Sequence, residues 1–434
     1  MRGVTDLYME VYDLNEVYGL SRDVPLNYVE RSEVDWRLKE NLNRKKHITI
    51  FGSSKQGKTC LRKHCLSDEE YILVQCSNRW SIADLNSNIL KRAGYELKES
   101  GKKSIGGKSK VVATGKVSIK VLENSVSAEN EVSETEDITY KPLELEVEDS
   151  NDIISALNQI GFSKYIVLED FHYLKQETQR DFAFELKAFH ESSNLCFIII
   201  GVWLDANKLA VYNGDLTGRI IPINADEWSS ENLRRVIEKG ADLLNIEFSE
   251  SFIQKTIEAG LGNVYIVQET CYRACQDKGI YTTQNEKVII GDDLNPGMLV
   301  REIINEQSGR YNTFIINYAS GFQDTTLEMH KWLLYPILTA DISELSKGLK
   351  YRYIRQSIEE VHPHGKKLNA GNVTQALNSV TSLQLVKSIQ PFILDYDESN
   401  LVLHIVDRGF IIWLSMQDRN ELLDSIGLPV QSNK

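Results

Sequence analysis

His47-Ile-Thr-Ile-Phe51 runs directly into Gly52-Ser53-Ser54-Lys55-Gln56-Gly57-Lys58-Thr59-Cys60, and this junction decides the fold. The first five residues are apolar or β-branched, the composition of a buried strand. The next eight spell G-x-x-x-x-G-K-[ST], and the following Leu61-Arg-Lys-His-Cys-Leu66 continues as a helix. Strand, glycine loop and helix in that order is the context a phosphate-binding loop requires. Gly52 and Gly57 let the backbone turn its N–H groups toward a phosphate, and the helix adds its positive end. Lys58 reaches the β- and γ-phosphates in such loops, and Thr59 places its hydroxyl on Mg²⁺. A second glycine cluster, Gly106-Gly107-Lys108-Ser109, fails the same test, because Lys102 stands where its first glycine should be.

A phosphate loop that hydrolyses needs a second strand ending in acid. Lys164-Tyr-Ile-Val-Leu-Glu169-Asp170 supplies it, with a turn glycine at Gly161 before and a charged helix over about 176–192 after. Glu169 and Asp170 then sit at a strand's C-terminal end, where ligands bind in open α/β sheets. Either carboxylate can hold Mg²⁺ or orient water; the order Glu then Asp leaves the assignment open. His172 could contact substrate, but a lone histidine beside a strand end reads first as structural. Leu195-Cys-Phe-Ile-Ile-Ile200-Gly201-Val202 reads as a third strand, followed by Trp203, and Arg219-Ile-Ile-Pro-Ile-Asn224 is a further one.

Composition sets the frame around these strands. The chain has 434 residues with 49 Lys+Arg against 62 Asp+Glu, a net charge of −13. That length predicts two to four domains. The acidic balance argues against a generic nucleic-acid coat, because non-specific affinity comes from cations neutralising phosphates. No apolar run reaches eighteen residues, so no membrane helix is expected. Six cysteines without a C-x-x-C pair fit a reducing compartment, and a cytoplasmic location is expected.

With these motifs in order, the chain resembles the AAA+/STAND superfamily of P-loop ATPases, particularly prokaryotic members related to replication initiators. Tyr28-Val29-Glu30-Arg31 is similar to the family's entry motif beside the adenine, with Glu30 in place of a glycine. Gly262-Asn263 is similar to the lid element that contacts nucleotide, with Val264 replacing a proline. Asn213-Gly-Asp-Leu-Thr-Gly218-Arg219 resembles the segment presenting an arginine to a neighbouring subunit. The resemblance therefore implies ATP/ADP and Mg²⁺ as ligands and a homo-oligomer. It implies Lys58, Glu169, Asp170 and Arg219 as catalytic residues, Thr59, Glu169 and Asp170 at the metal. Tyr28, Val29, Arg31, the loop from Gly52 to Cys60, Gly262 and Asn263 would hold the nucleotide.

The expected architecture is α/β: an ASCE/AAA+-like parallel sheet in residues 1–225 with a β-hairpin insertion at about 97–150. A helical lid at 226–324 and a winged-helix-like domain at 325–434 follow. The insertion is basic first (Lys98, Lys102, Lys103, Lys108, Lys110, Lys116, Lys120), then acidic, with eleven carboxylates between Glu123 and Asp152. Internal charge pairing is the plainer reading, a hairpin touching DNA or a neighbouring subunit the alternative. In the C-terminal part a helix over Asn372–Val380 offers amides but no cation, and Asp395-Tyr-Asp-Glu reads as an acidic wing tip. Both disfavour DNA. His362 and His364 read as an exposed turn.

Three functions follow. The first is a slow ATP-hydrolysing switch whose nucleotide state controls oligomerisation and a protein partner, in prokaryotic antiphage defence by the resemblance. The second is a DNA-binding initiator- or transposition-type ATPase, and the third a nucleotide-binding scaffold that does not hydrolyse.

Overall fold

The computed structural model describes residues 10–20, 23–103, 109–121, 134–291, 293–323, 325–365 and 368–431. Its centre is a five-stranded parallel sheet. The strands are β1 (His47–Phe51), β2 (Tyr71–Gln75), β7 (Tyr165–Glu169), β8 (Phe197–Ile200) and β9 (Ile220–Asn224), ordered β2-β7-β8-β1-β9. Every residue of β1 and of β8 is buried. Helices cover both faces, which is why these strands read as unbroken apolar runs rather than alternating ones. With β8 between the loop-bearing strand and the acidic strand, the sheet has the order of an ASCE/AAA+-like P-loop fold. The fold class is the one the sequence predicts. The helix after the acidic strand runs Gln176–Ser192, buries Phe182, Leu186 and Phe189 and presents charge outward.

Between β2 and β7 the chain inserts a β-sheet of β3 (Tyr95–Lys103), β4 (Ser109–Val121), β5 (Glu134–Thr139) and β6 (Leu143–Glu146). The basic strand β4 lies antiparallel to acidic β5 and β6, with Lys110 opposite Glu146 in register. Lys116 pairs with Glu96 at 2.8 Å. The register thus sets basic β4 beside acidic β5 and β6. The glycine cluster at 106–107, Lys108, the side chains of Lys102, Lys103 and Lys120, and the acidic run within 122–133 lie outside the described residues.

Beyond β9, three helices form a bundle, Ser230–Leu244, Glu250–Gly260 and Val264–Asp277, beside a parallel pair of short strands, β10 (Ile246–Phe248) and β11 (Val288–Ile290). Ser229 and Ser249 cap the first two, each accepting a backbone N–H of the first turn. Leu233, Ile237, Ala241 and Leu244 are buried on one face, with Cys271 and Cys275 in the same core. Among the described residues no group of three or more His, Cys, Asp or Glu side chains is placed to hold a metal ion. The helix Leu14–Val17 packs here too, through Leu14, Val17 and Tyr18.

The C-terminal unit joins the helices Met329–Thr339, Tyr351–Val361 and Ala370–Asn378 to a small sheet. That sheet is ordered β12 (Leu349–Lys350), β14 (Val402–Ile405), β13 (Leu394–Asp397). Three expectations are corrected here. The second helix begins at Ala370 and stops at Asn378, with a new helix from Val380; between them the Ser379 hydroxyl donates to the carbonyls of Gln375 and Ala376. His362 is buried against the Trp332 ring, with Nε2 3.0 Å from the Leu327 carbonyl. Asp395 and Asp397 are no wing tip: they lie buried in β13, while the turn is formed by the residues after them. Lys366 and Lys367 lie outside the described residues. No described helix is long and apolar enough to cross a membrane.

Candidate functional site

The loop after β1 is shaped by its two glycines. Gly52 has φ 148° and Gly57 φ 77°, values an L side chain rarely adopts. A Cβ on Gly52 would stand 2.9 Å from Oδ1 of Asp226. Gly57 then leads into the helix Lys58–Cys65, so the free N–H groups of its first turn face the loop's concave side. Lys58 folds back and donates to the carbonyls of Gly52 at 3.0 Å and Ser53 at 2.6 Å. Burial there pulls its ammonium down to about 8, with Asp226, Asp170 and Glu169 pulling the other way. A cationic donor among exposed N–H groups, held by glycine-specific backbone, is chemistry that fits a polyphosphate.

Ser53 is taken out of that cradle. Its N–H and hydroxyl both donate to Asp226, each at 2.6 Å. Gln56 joins the loop to the helical bundle: its side chain donates to the Gly262 carbonyl at 3.2 Å and accepts from the Val264 N–H at 3.4 Å. The Trp228 indole donates to the Gln56 carbonyl at 3.3 Å. Lys55 lies over the Tyr265 ring, 3.9 Å from its centroid.

The acidic pair lies where β7 ends. The Thr59 hydroxyl donates to Oε1 of Glu169 at 2.5 Å, and Arg62 approaches Oε2 at 3.5 Å. Asp170 adopts φ 59°, a left-handed value that Asp tolerates better than most residues, and accepts from Gln75 at 3.2 Å. This geometry separates two carboxylates that the sequence left equivalent: Glu169 is tied to the loop's threonine, and Asp170 lines the cleft. Beneath the loop, Trp203 forms a β-bridge with Gly52. Its ring occupies the space of a Cβ on Gly201, 1.7 Å away, which explains that glycine.

Loop, acidic strand end and bundle enclose a cleft of about 470 Å³. Tyr28, Val29, Trp228, Val236, Val264 and Tyr265 line it, and Ser54 to Cys60 with Asp170 make the polar end. Tyr28 is anchored by its hydroxyl on Asp35 at 2.5 Å. Glu30 turns outward to Lys39 and His64, which hold its carboxyl down at about 2. Arg31 does not line the cleft. It is buried behind the wall, donating to the Ala225 carbonyl at 2.9 Å, with its guanidinium 4.0 Å from the Trp228 ring centroid. Gly262 and Asn263 likewise act from behind: Asn263 caps the helix Val264–Asp277, which places Tyr265 and Gln268 in the cleft.

Arg219 lies elsewhere. It precedes β9 at the end of the sheet away from the loop, where its carbonyl accepts from His47. Its guanidinium pairs with Glu191 at 2.6 Å and with the Asp215 carbonyl. Arg273 is held by Glu269 and Glu306 on the bundle's side.

The sequence reading missed Asp226, Trp228, Tyr265, Gln268 and the contribution of the C-terminal unit. A signal existed for Asp226 alone, since it closely follows a strand adjacent to β1. The Ser54 N–H donates to the Val406 carbonyl at 2.8 Å. Arg408 reaches both Oδ2 of Asp226, at 3.4 Å, and the Leu261 carbonyl, at 3.0 Å. Phe392 and Val406 pack against Val202. The C-terminal unit therefore closes directly on the loop.

No protein family matches the chain, and no curated protein does. In overall architecture it is similar to a Walker-type ATPase of Pyrococcus abyssi, at 12% identity and a TM-score of 0.49, covering 92% of this chain and 100% of that one. The Orc1 protein of Aeropyrum pernix, solved in complex with DNA, gives 11% identity and a TM-score of 0.44 over 95% and 97%. Cdc6p of Pyrobaculum aerophilum gives 10% and 0.38 over 96% and 99%.

Proposed function

We propose that this chain is an ATP-dependent switch whose C-terminal, winged-helix-like unit is clasped to the phosphate loop in one nucleotide state and released in another. The observation that carries the reading is the Ser54 to Val406 hydrogen bond at 2.8 Å, backed by Arg408 bridging Asp226 and the Leu261 carbonyl. A loop whose backbone is held by the C-terminal unit cannot change shape without that unit responding. Differential contacts of this kind are what a nucleotide needs to shift a conformational equilibrium.

Within the cleft, Lys58 and the N–H groups from Gly57 onward neutralise the phosphates, and Tyr28, Val29, Trp228 and Val264 enclose the base. Thr59 and Glu169 hold the Mg²⁺ side, and Asp170 orients water. Mg²⁺ held by these residues would supply positive charge to offset that of the phosphates. Release of the C-terminal unit then frees surface for assembly with further copies or a protein partner; prokaryotic defence is the setting the family resemblance implies. The test is the mass of the particle with ADP and with a non-hydrolysable ATP analogue, alongside phosphate release. Identical mass and identical protease sensitivity in both states would sink the switch.

A DNA-loading ATPase is the second reading. It gains from one observation: Asp395 and Asp397 are buried in β13, so they do not present an acidic edge to phosphate. Salt-sensitive stimulation of phosphate release by duplex DNA would favour it over the first.

A further inference from the structure

His172 lies two residues beyond Asp170 and is 3% exposed. Among the described residues neither its Nδ1 nor its Nε2 has a hydrogen-bond partner. Burying a donor and an acceptor unpaired is unfavourable, so such a group calls for a ligand or water. The ring lines the polar end of the cleft with Lys58, Thr59 and Asp170. Its other side borders a cavity of about 40 Å³ beneath the C-terminal unit, room for a few waters. The Phe392 ring of that unit meets it edge-on, centroids 5.4 Å apart at 81°.

Its chemistry suits a phosphate already contacted by a lysine. An imidazole carries at least one ring N–H to donate whatever its charge state. The position after β8, where a polar group would serve this end of the cleft, is filled by Trp203, committed to Gly52.

We propose that His172 distinguishes a nucleoside triphosphate from a diphosphate by donating a hydrogen bond at the terminal phosphate, and that its contact with Phe392 passes this difference to the C-terminal unit. The proposal rests on the nucleotide reading above. His172 is a specificity-determining residue here, and its ring is the one polar group shared by the cleft and the cavity under the C-terminal unit among those singled out above.

The experiment compares His172→Phe, which keeps an aromatic ring and removes both nitrogens, with His172→Asn, which restores a donor. Affinities for ADP and for a non-hydrolysable ATP analogue are measured by calorimetry, with melting temperatures in parallel. The expected result is ADP affinity within about twofold of wild type and triphosphate affinity lower by about ten- to a hundredfold in His172→Phe, the range of one charge-assisted hydrogen bond. His172→Asn should recover part of it. Unchanged affinity for both nucleotides in His172→Phe would mean the nitrogens are served by water alone and overturns the proposal. An equal loss for both, with a lowered melting temperature, would make His172 a packing residue and also overturns it. Wild-type protein binding neither nucleotide would overturn the nucleotide reading itself.

Discussion

The ammonium of Lys208 lies 2.6 Å from Oδ1 of Asp395, joining two residues 187 positions apart across the seam between the sheet and the C-terminal unit. Burial pulls the lysine's pKa down, yet Asp395, Tyr212 and Asp205 together outweigh it and hold the ammonium above its ordinary range. Asp395 is 2% exposed and its second oxygen has no partner among the described residues. The seam is thus polar where it is most buried, a suitable property for a contact that must open.

Breaking this pair from one side leaves a buried charge. Asp395→Asn is expected to destabilise the closed form by about 3–5 kcal/mol. The readouts are thermal melting and protease cleavage near the seam. Lys208→Met combined with Asp395→Leu should recover much of the loss; a double variant as labile as the single one would show that the pair is not the cause.

Nucleotide affinity should depend on pH through Lys58. Burial holds its ammonium down at about 8. Bound phosphates favour the charged form, so the bound-state pKa is higher and binding takes up a proton above pH 8. Affinity is therefore greatest below about pH 8 and falls as pH rises through it, by up to tenfold per unit. Titration calorimetry in buffers of different ionisation enthalpy reads the proton directly. Lys58→Ala should abolish binding, and undiminished affinity in that variant would refute the site.

The two carboxylates should separate by phenotype. Glu169→Gln is expected to raise the Mg²⁺ concentration needed for half-maximal binding, because the Thr59-linked group loses its charge. Asp170→Asn should leave binding intact and lower phosphate release by about 10²- to 10³-fold, the usual worth of a positioned base. Arg62→Gln should act oppositely to Glu169→Gln, since it removes a cation 3.5 Å from Glu169. Identical Mg²⁺ dependence in all three would show that Glu169 does not serve the metal.

Gly201→Ala is the sharpest test of the packing under the loop. The added methyl would collide with the Trp203 ring, which must leave the position beneath Gly52. A loss of about 1–3 kcal/mol is expected for such overpacking, together with weakened nucleotide binding. Wild-type stability in that variant would mean Trp203 does not hold the loop.

Arg219 tests assembly. Within the chain it makes a half-exposed pair with Glu191, so Arg219→Ala should change stability by less than about 1 kcal/mol. Should it serve a neighbouring subunit's nucleotide, mixing this variant with Lys58→Ala should restore part of the hydrolysis lost by each alone. No recovery at any ratio would exclude the role.

The loop, the acidic strand end and the capped lid helix are readable along the chain because each is local. A glycine spacing, a β-branched run or a serine before an apolar face acts on neighbouring residues, and the 3.6-residue and two-residue periods encode which side is buried. Leu233, Ile237, Ala241 and Leu244 face inward as their spacing requires. His362 and Asp395 were misplaced for the opposite reason: a polar residue near a turn reads as exposed unless its distant partner, here Trp332 or Lys208, is known.

The sequence alone determined that residues 47–59 form a strand, a phosphate-shaped loop and a helix, and that Glu169 and Asp170 end a strand of the same sheet. Tertiary structure alone decided which carboxylate meets Thr59, that Arg31 stands behind the cleft wall, and that Val406 and Arg408 close on Ser54 and Asp226. Backbone conformation follows from local sterics and hydrogen bonding, whereas a side chain's partner across hundreds of residues is set by how whole elements pack.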